Sequence, residues 1–316
     1  MKKYLLSSML IGSSLLAMQA ANAFEIKHSE GVLELEQTPQ KVVSYDLAQL
    51  DTLTALGIEA VAVPTSSYKN SLERYNDSPT VGTLFEPDYE ALKKIGPDLI
   101  IAGGRSAAAI PELSKIAPTI SFTSDPNNFV DSVKDSTNSI AKAWNKEAEG
   151  KALLEKLEQN IAQLHELNKG KTGAFLFVIK DRVMTHAPGD RFGYIEELTG
   201  LKPILSARTE EELNQPRPKP DTPEAKARAE KSAAEISTVA KANPDWFIVL
   251  DRGALNDAEK TAANTLNNHE ELSKTDAVKE GRVFYVEPNP WYVVTGGVSN
   301  LTEITDQMIK EMKTKN

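Results

Sequence analysis

Two arginines occupy matching positions in two copies of a short pattern. Residues 97–105 read PDLIIAGGR and residues 244–252 read PDWFIVLDR, so Arg105 and Arg252 each follow the aspartate by seven positions. The apolar run in each copy is typical of a buried parallel strand. Ligands of open α/β sheets bind beyond the carboxyl ends of the strands. Either arginine alone could be a surface charge, but the matched spacing favours two lobes that each offer a guanidinium group to an anion.

Four further candidates lie on turns and loops or follow a predicted strand. Arg191 lies in APGDRFGYIEELTG, a turn that leads into a predicted helix, where a guanidinium group can form bidentate hydrogen bonds to anionic oxygens. Tyr292 lies in VEPNPWYVVTGG, a proline-stiffened loop. It could supply a phenolate oxygen to a ferric ion, stack on an aromatic ligand, or simply pack at the lobe edge. Trp291 in the same loop and Tyr45 after the first predicted strand are further aromatic candidates.

The sequence carries no recognisable catalytic motif. HExxH, a P-loop, GxSxG and a GxGxxG after the first strand are all missing from it. Cysteine is absent, which excludes thiolate sites and disulfides. The four histidines are scattered, and only His186, on the same turn as Arg191, is a candidate metal ligand. Nothing in the sequence therefore assembles a nucleophile, a base and a group that orients the base.

The first 23 residues have the features of a secretory signal peptide. Lys2 and Lys3 precede an apolar stretch at residues 5–16, and Ala21-Asn22-Ala23 fits a cleavage site. We expect export to a periplasm and a mature chain from Phe24, with no lipid anchor because the junction has no cysteine. The formal net charge of −9 argues against nucleic acid or an anionic membrane surface as a partner.

Strand-like and helix-like segments alternate along the chain. This predicts an α/β fold of two Rossmann-like lobes with mostly parallel sheets. Apolar residues at helical spacing predict one long backbone α-helix between the lobes, or two nearly collinear helices. The expected divisions are an N-terminal lobe at 24–128, a linking helix at 129–170 and a C-terminal lobe at 171–316.

A polar segment at residues 206–236 interrupts the second lobe. Its first part carries Pro216, Pro218, Pro220 and Pro223, which exclude regular helix and central strand where they lie. The part from Pro223 to Glu235 contains strong helix formers and is predicted to be a solvated helix.

Together these segments resemble the periplasmic substrate-binding proteins of ABC importers for ferric siderophores, the two-lobed class with a helical backbone. The resemblance is carried by the linking helix and by SYDLAQLDTLTALGI, EPDYEALKKIGPDLIIAGGR, PGDRFGYIEELTG, ANPDWFIVLDR and EPNPWYVVTGG. The last three segments are similar to the catecholate branch. The resemblance implies a monomer without catalytic activity or a permanent cofactor, which carries ferric iron as a siderophore complex to an inner-membrane permease.

The resemblance also implies ligand contacts for particular residues. Arg105, Arg191 and Arg252 would surround the anionic catecholate oxygens. Tyr292 would bind iron directly, and the rings of Trp291 and Tyr45 would stack on the catechols.

One feature departs from that branch. Its histidine ligand usually comes from the segment that corresponds to 206–236, and this segment contains no histidine. Three alternatives are open: Tyr292 is the sole protein ligand, His186 substitutes, or the preferred chelate is hexadentate and needs no protein donor. Haem, cobalamin or a hydroxamate siderophore are alternative ligands for the same fold, and an exported α/β enzyme is a competing class.

Members of the family dock on their permease through one surface glutamate per lobe. Glu90, eight residues before Asp98, fits the first position. Glu235, ten residues before Asp245, is the nearest candidate for the second.

Overall fold

The computed structural model describes residues 23–216, 218–257 and 259–315, without the side chains of residues 256 and 257. The predicted signal peptide lies almost wholly outside the described residues. Within those residues, none of the helices has an apolar stretch that would let it cross a membrane.

The N-terminal lobe is built on a five-stranded sheet in which every strand pair is parallel. Its elements are the hairpin β1 (Phe24–His28) and β2 (Gly31–Leu35), then β3 (Val42–Ser44), α1 (Leu47–Ala55), β4 (Ala60–Thr65), β5 (Thr80–Thr83), α2 (Tyr89–Ile95), β6 (Leu99–Ile101), α3 (Ile110–Leu113) and β7 (Thr119–Ile120). The strand order is β5-β4-β3-β6-β7. Since β3 and β6 are buried along their whole length, these central strands consist of apolar residues with a single serine.

Two linking helices follow, and they pack side by side instead of forming one rod. These are α4 (Phe129–Ala143) and α5 (Glu147–Leu167). The chain reverses at Asn145, which has a φ of 55°. Lys134 of α4 pairs with Glu158 of α5 at 2.8 Å, a pairing that only antiparallel helices allow. The long backbone helix is the 21-residue α5, which covers only part of the predicted range 129–170 because α4 occupies the rest, and the collinear alternative is wrong.

The C-terminal lobe repeats the α/β architecture. Its elements are β8 (Thr172–Ile179), β9 (Arg182–His186), α6 (Ile195–Thr199), β10 (Lys202–Pro203), α7 (Glu210–Asn214), α8 (Pro223–Ala242), β11 (Trp246–Asp251), α9 (Ala262–Asn268), α10 (Asp276–Lys279), β12 (Val283–Val286) and α11 (Val298–Lys315). Strands β10, β8, β11 and β12 are parallel, and β9 is antiparallel to β8.

The aspartate of each Pro-Asp copy anchors a neighbouring strand. The Asp98 carboxylate accepts hydrogen bonds from the main-chain N of Gln40 and of Lys41, both at 2.8 Å, just before β3. Asp245 accepts one from the main-chain N of Thr172 at 2.8 Å, at the start of β8. The repeated motif therefore fixes the register between β6 and β3, and between β11 and β8.

Polar contacts join the lobes on the side of α1. Asp51 of α1 accepts hydrogen bonds from the main-chain N of Ser299 and of Asn300, both at 3.0 Å, and so caps α11. Burial raises the pKa of Asp51 to about 6. Gly297 has a φ of 75°, and a Cβ there would lie 2.4 Å from the Asp51 carboxylate. A glycine is therefore required where the loop approaches this cap.

Candidate functional site

Three arginines from different segments surround one tyrosine between the lobes. The guanidinium carbons of Arg105, Arg191 and Arg252 lie 5.6, 4.9 and 5.4 Å from the centroid of the Tyr292 ring. Arg105 follows β6 in a short 3₁₀ helix (Gly104–Ala109), and Arg252 directly follows β11. The strands therefore deliver these two side chains to one place from opposite lobes. We refer to these four residues as the arginine–tyrosine cluster.

The three arginines are held differently. Arg105 is half-buried, and its Nη1 and Nη2 donate to the main-chain oxygens of Val293 and Tyr292 at 2.9 and 2.5 Å. Arg191 is exposed, and its Nη2 donates to the main-chain oxygen of Tyr292 at 3.3 Å. Arg252 is also exposed. Burial, together with the nearby charge of Arg191, lowers the pKa of Arg105, as expected where like charges crowd together.

The cluster also changes the chemistry of Tyr292. Burial by itself raises the pKa of the Tyr292 hydroxyl, but a hydrogen bond from Arg252 and the charges of all three arginines outweigh it. The net effect is a pKa below the ordinary value for tyrosine. Its phenolate therefore forms more readily than that of an isolated tyrosine, and a phenolate is a hard oxygen donor.

A cavity of about 830 Å³ opens beside the cluster and is lined by both lobes. The N-terminal lobe contributes Asp46, Gln49 and Arg105, and the C-terminal lobe contributes Arg191 and Thr295. This volume lies in the range of small-molecule sites, which are usually preformed clefts of a few hundred to a thousand Å³.

The two other predicted aromatic contacts are in the cores of the lobes. Trp291 is 1% exposed and stacks on Tyr194 with ring centroids 5.5 Å apart. Tyr45 borders the cavity but is 1% exposed, and its hydroxyl donates to the Val81 oxygen at 2.5 Å. Both rings are almost fully buried, which contradicts the predicted stacking of these two side chains on a ligand.

His186 is paired with a carboxylate at the base of its turn. Its Nδ1 lies 2.8 Å from Asp190 Oδ1, and its ring contacts Phe177 and Phe192, which also contact Tyr292. Throughout the described part of the chain, no three histidine or acidic side chains converge as metal ligands would. A role for His186 in iron binding stays a prediction.

The two candidate docking glutamates have different environments. The Glu90 side chain, at the start of α2, is 84% exposed and pairs with Lys93 at 2.7 Å. The Glu235 side chain is 16% exposed because that face of α8 packs against β9. Its oxygens accept hydrogen bonds from Arg208 at 2.5 and 2.9 Å and from Thr185 at 2.8 Å. Glu235 is therefore not a surface docking residue, and that prediction is wrong.

Sequence reasoning missed two polar residues near the site. Asp46 caps α1 through its Oδ1, which accepts from the main-chain N of Ala48 at 3.0 Å, at the floor of the cavity. The SYDL segment contained this signal, since an aspartate before an apolar helix is a typical N-cap. Arg208 contacts the turn that carries Arg191, and nothing in the polar segment around it indicated this.

The fold and the cluster define a two-lobed binding protein with a cavity between its lobes. The family described as "Periplasmic binding protein" matches residues 42–290, and the chain belongs to this family. The predicted family and fold class are thereby confirmed. Members of the family are substrate-binding proteins rather than enzymes.

Several relatives align along most of the chain. The petrobactin-binding protein YclQ of Bacillus subtilis is 29% identical over 287 residues, which cover 89% of this chain and 83% of that protein. The ferric-anguibactin-binding protein FatB of Vibrio anguillarum is 24% identical over 294 residues, or 90% of this chain and 86% of that protein.

Solved structures agree with the same assignment. The crystal structure of YclQ matches with a TM-score of 0.76 and 28% identity, over 93% of this chain and 98% of that one. The periplasmic catecholate-siderophore binding protein VctP from Vibrio cholerae matches with a TM-score of 0.75 and 25% identity, over 93% of this chain and 100% of that one.

Proposed function

We propose that this protein captures a ferric siderophore of the catecholate type between its lobes and delivers it to an ABC permease. One observation carries the proposal: three guanidinium groups lie within 5.6 Å of the ring centroid of a single tyrosine whose pKa is lowered. Ferric catecholates are anionic, rigid and rich in oxygen acceptors. VctP is named as a catecholate-siderophore binding protein and YclQ as a petrobactin-binding protein, and these names support the same ligand class.

The energetics are consistent with tight capture. A hydrogen bond to a charged group contributes about 1.5–3 kcal/mol net, and micromolar binding requires about 8 kcal/mol. A few such bonds from Arg105, Arg191 and Arg252 in a preformed cavity therefore suffice. Tyr292 would bind iron through its phenolate when the chelate leaves coordination positions open. Ferric iron is then cargo, and the protein acts as a monomer without turnover.

The remaining parts of the proposal concern delivery. The polar contacts between α1 and α11 restrain the lobes, so we expect little lobe movement on binding. Glu90 is exposed on α2 and is the proposed contact with the permease in the N-terminal lobe. The proposed compartment is the periplasm, with the mature chain beginning at Phe24.

Titration of the purified protein with a panel of chelates tests the ligand class. The panel contains a ferric bis-catecholate, a ferric tris-catecholate, a ferric hydroxamate, haem and cobalamin, and binding is followed by quenching of tryptophan fluorescence. We expect the ferric catecholates to bind at micromolar concentration or below and the others to bind far more weakly. Tighter binding of haem, cobalamin or the hydroxamate would contradict the proposal.

A further inference from the structure

Arg208, in the polar segment before α8, contacts the turn at residues 187–193 at two points. Its main-chain N donates to the Pro188 oxygen at 2.9 Å. Its Nε lies 3.6 Å from Asp190 Oδ2. The two Nη atoms of the same guanidinium group donate to the carboxylate of Glu235 on α8. The Arg208 side chain therefore connects the turn to helix α8.

Asp190 holds the turn from within. Its carboxylate accepts hydrogen bonds from the main-chain N of Ala187 at 2.9 Å and of Phe192 at 3.4 Å. Gly189, with a φ of 85°, lies within ordinary van der Waals contact distance of the Arg208 main chain. These contacts fix the main chain on both sides of Arg191, the arginine that the turn carries into the cluster.

The ion pairs behind the turn are shielded from water. The side chains of Arg208, Asp190 and Glu235 are only 16–17% exposed. Screening is weak for such pairs, so they constrain geometry more than surface pairs do. The Arg191 side chain is exposed, lies over the rings of Phe192 and Tyr292, and donates to the main-chain oxygen of Tyr292 at 3.3 Å. Because these contacts are weak and lie at the surface, its position also depends on how firmly its own main chain is held.

We propose that Arg208 is a positioning residue for the anion site, because it holds the Arg191 turn against the cleft. This inference rests on the proposed function and gives the proline-rich segment a role, since that segment supplies Arg208. A guanidinium group that is already in place loses less freedom when the anion binds. Arg208 itself need not touch the chelate.

The test is a double-mutant cycle on affinity for one probe, the ferric complex of a bis-catecholamide chelator. We expect Arg191→Ala to weaken binding about tenfold and Arg208→Ala about threefold to tenfold, within the range measured for coupled neighbours. Because Arg208 acts through Arg191, the double variant should bind no more weakly than Arg191→Ala alone. A merely structural role for Arg208 would give losses that multiply.

Matched variants make each outcome decisive. Arg228→Ala changes an exposed arginine of α8 and should leave affinity unchanged. If Arg208→Ala does not fold, Arg208→Lys and Glu235→Gln preserve bulk and should give smaller losses that again disappear in the Arg191→Ala background. Unchanged affinity in a folded Arg208 variant, or fully multiplicative losses, would overturn the inference. If the unmodified protein does not bind the probe, or Arg105→Ala also has no effect, the proposed function fails instead.

Discussion

The two Pro-Asp copies are alike where their strands begin and different where they end. Asp98 and Asp245 perform the same task, since each carboxylate accepts a main-chain N–H from the start of the adjacent strand. Beyond the strands, Arg105 is half-buried and bonds to the main chain of the other lobe, whereas Arg252 is exposed beside a tyrosine of its own lobe. The shared motif therefore determines how the adjacent strand is anchored. The contacts of each arginine depend instead on the loops around it.

The largest expected effect is a loss of ligand affinity that is greater for Arg105→Ala than for Arg252→Ala. Arg105→Ala should weaken binding of a ferric catecholate by about tenfold to a hundredfold, or about 1.4–2.8 kcal/mol, because it removes a charge and a bridge between lobes together. Arg252→Ala should cost about tenfold or less, since its side chain is exposed. Titration by tryptophan fluorescence measures both, with Arg228→Ala as control. A larger loss for Arg252 would reverse the comparison, and no loss at either would remove that residue from the site.

The glutamates that precede the two copies should differ in stability. Glu235→Ala leaves the shielded Arg208 without its bidentate partner, and we expect about 1–3 kcal/mol of lost unfolding free energy. Glu90→Ala removes an exposed pair with Lys93, for which about 0–1 kcal/mol is usual. Urea unfolding of both variants provides the measurement. Equal losses would mean that Glu235 is not held as the structure describes.

An iron-uptake assay then separates docking from stability. With binding of the ferric chelate unchanged, Glu90→Ala should slow uptake through the permease. If uptake is normal with this variant, Glu90 has no docking role.

Much of the fold was predictable because its signals are local. Apolar runs bounded by Pro-Asp on one side and a turn on the other can form little except buried strands, and both copies did. The docking residues were less predictable. Glu90 lies eight residues before Asp98, but the equivalent position before Asp245 is Ser237, so the second copy has no glutamate that corresponds to Glu90. The partner of Glu235 lies 27 residues away in an irregular segment, and no periodicity indicates such a contact.

The loop at residues 286–297 shows where sequence reasoning reaches its limit. Trp291 and Tyr292 are adjacent in a π-helical turn, Asn289–Val294, which buries the Trp291 ring in the core and leaves the Tyr292 ring partly buried beneath the three arginines. Both are aromatic and both follow Pro290, so residue type cannot distinguish them. The difference comes from the core, where Tyr194 and Phe175 receive the larger ring.

A smaller effect, on unfolding free energy, tests whether the aspartates of the two Pro-Asp copies have the same role. Asp98→Ala and Asp245→Ala each remove an acceptor for main-chain N–H groups at a strand start, and we expect similar losses of about 1–2 kcal/mol in unfolding free energy. Asp77→Ala, in an exposed loop, is the control. Thermal unfolding compares the three variants. A loss confined to one copy would show that the shared motif does not have a shared role.

The smallest effect is on the pKa of Tyr292. Here the loss of Arg252 should have the larger effect, whereas the loss of Arg105 should have the larger effect on affinity for the ferric catecholate. Arg252 lowers the pKa of Tyr292 by a hydrogen bond as well as by charge, whereas Arg105 acts by charge alone. Arg252→Ala should therefore raise this pKa more than Arg105→Ala, and the phenolate would form only at higher pH. Ultraviolet titration of the phenolate signal, assigned by its loss in Tyr292→Phe, measures the change. If the phenolate binds iron, affinity for a ferric bis-catecholate should rise with pH until Tyr292 is ionised, and Arg252→Ala should move that rise upward. An equal shift from both arginines would show that the hydrogen bond from Arg252 contributes nothing beyond its charge.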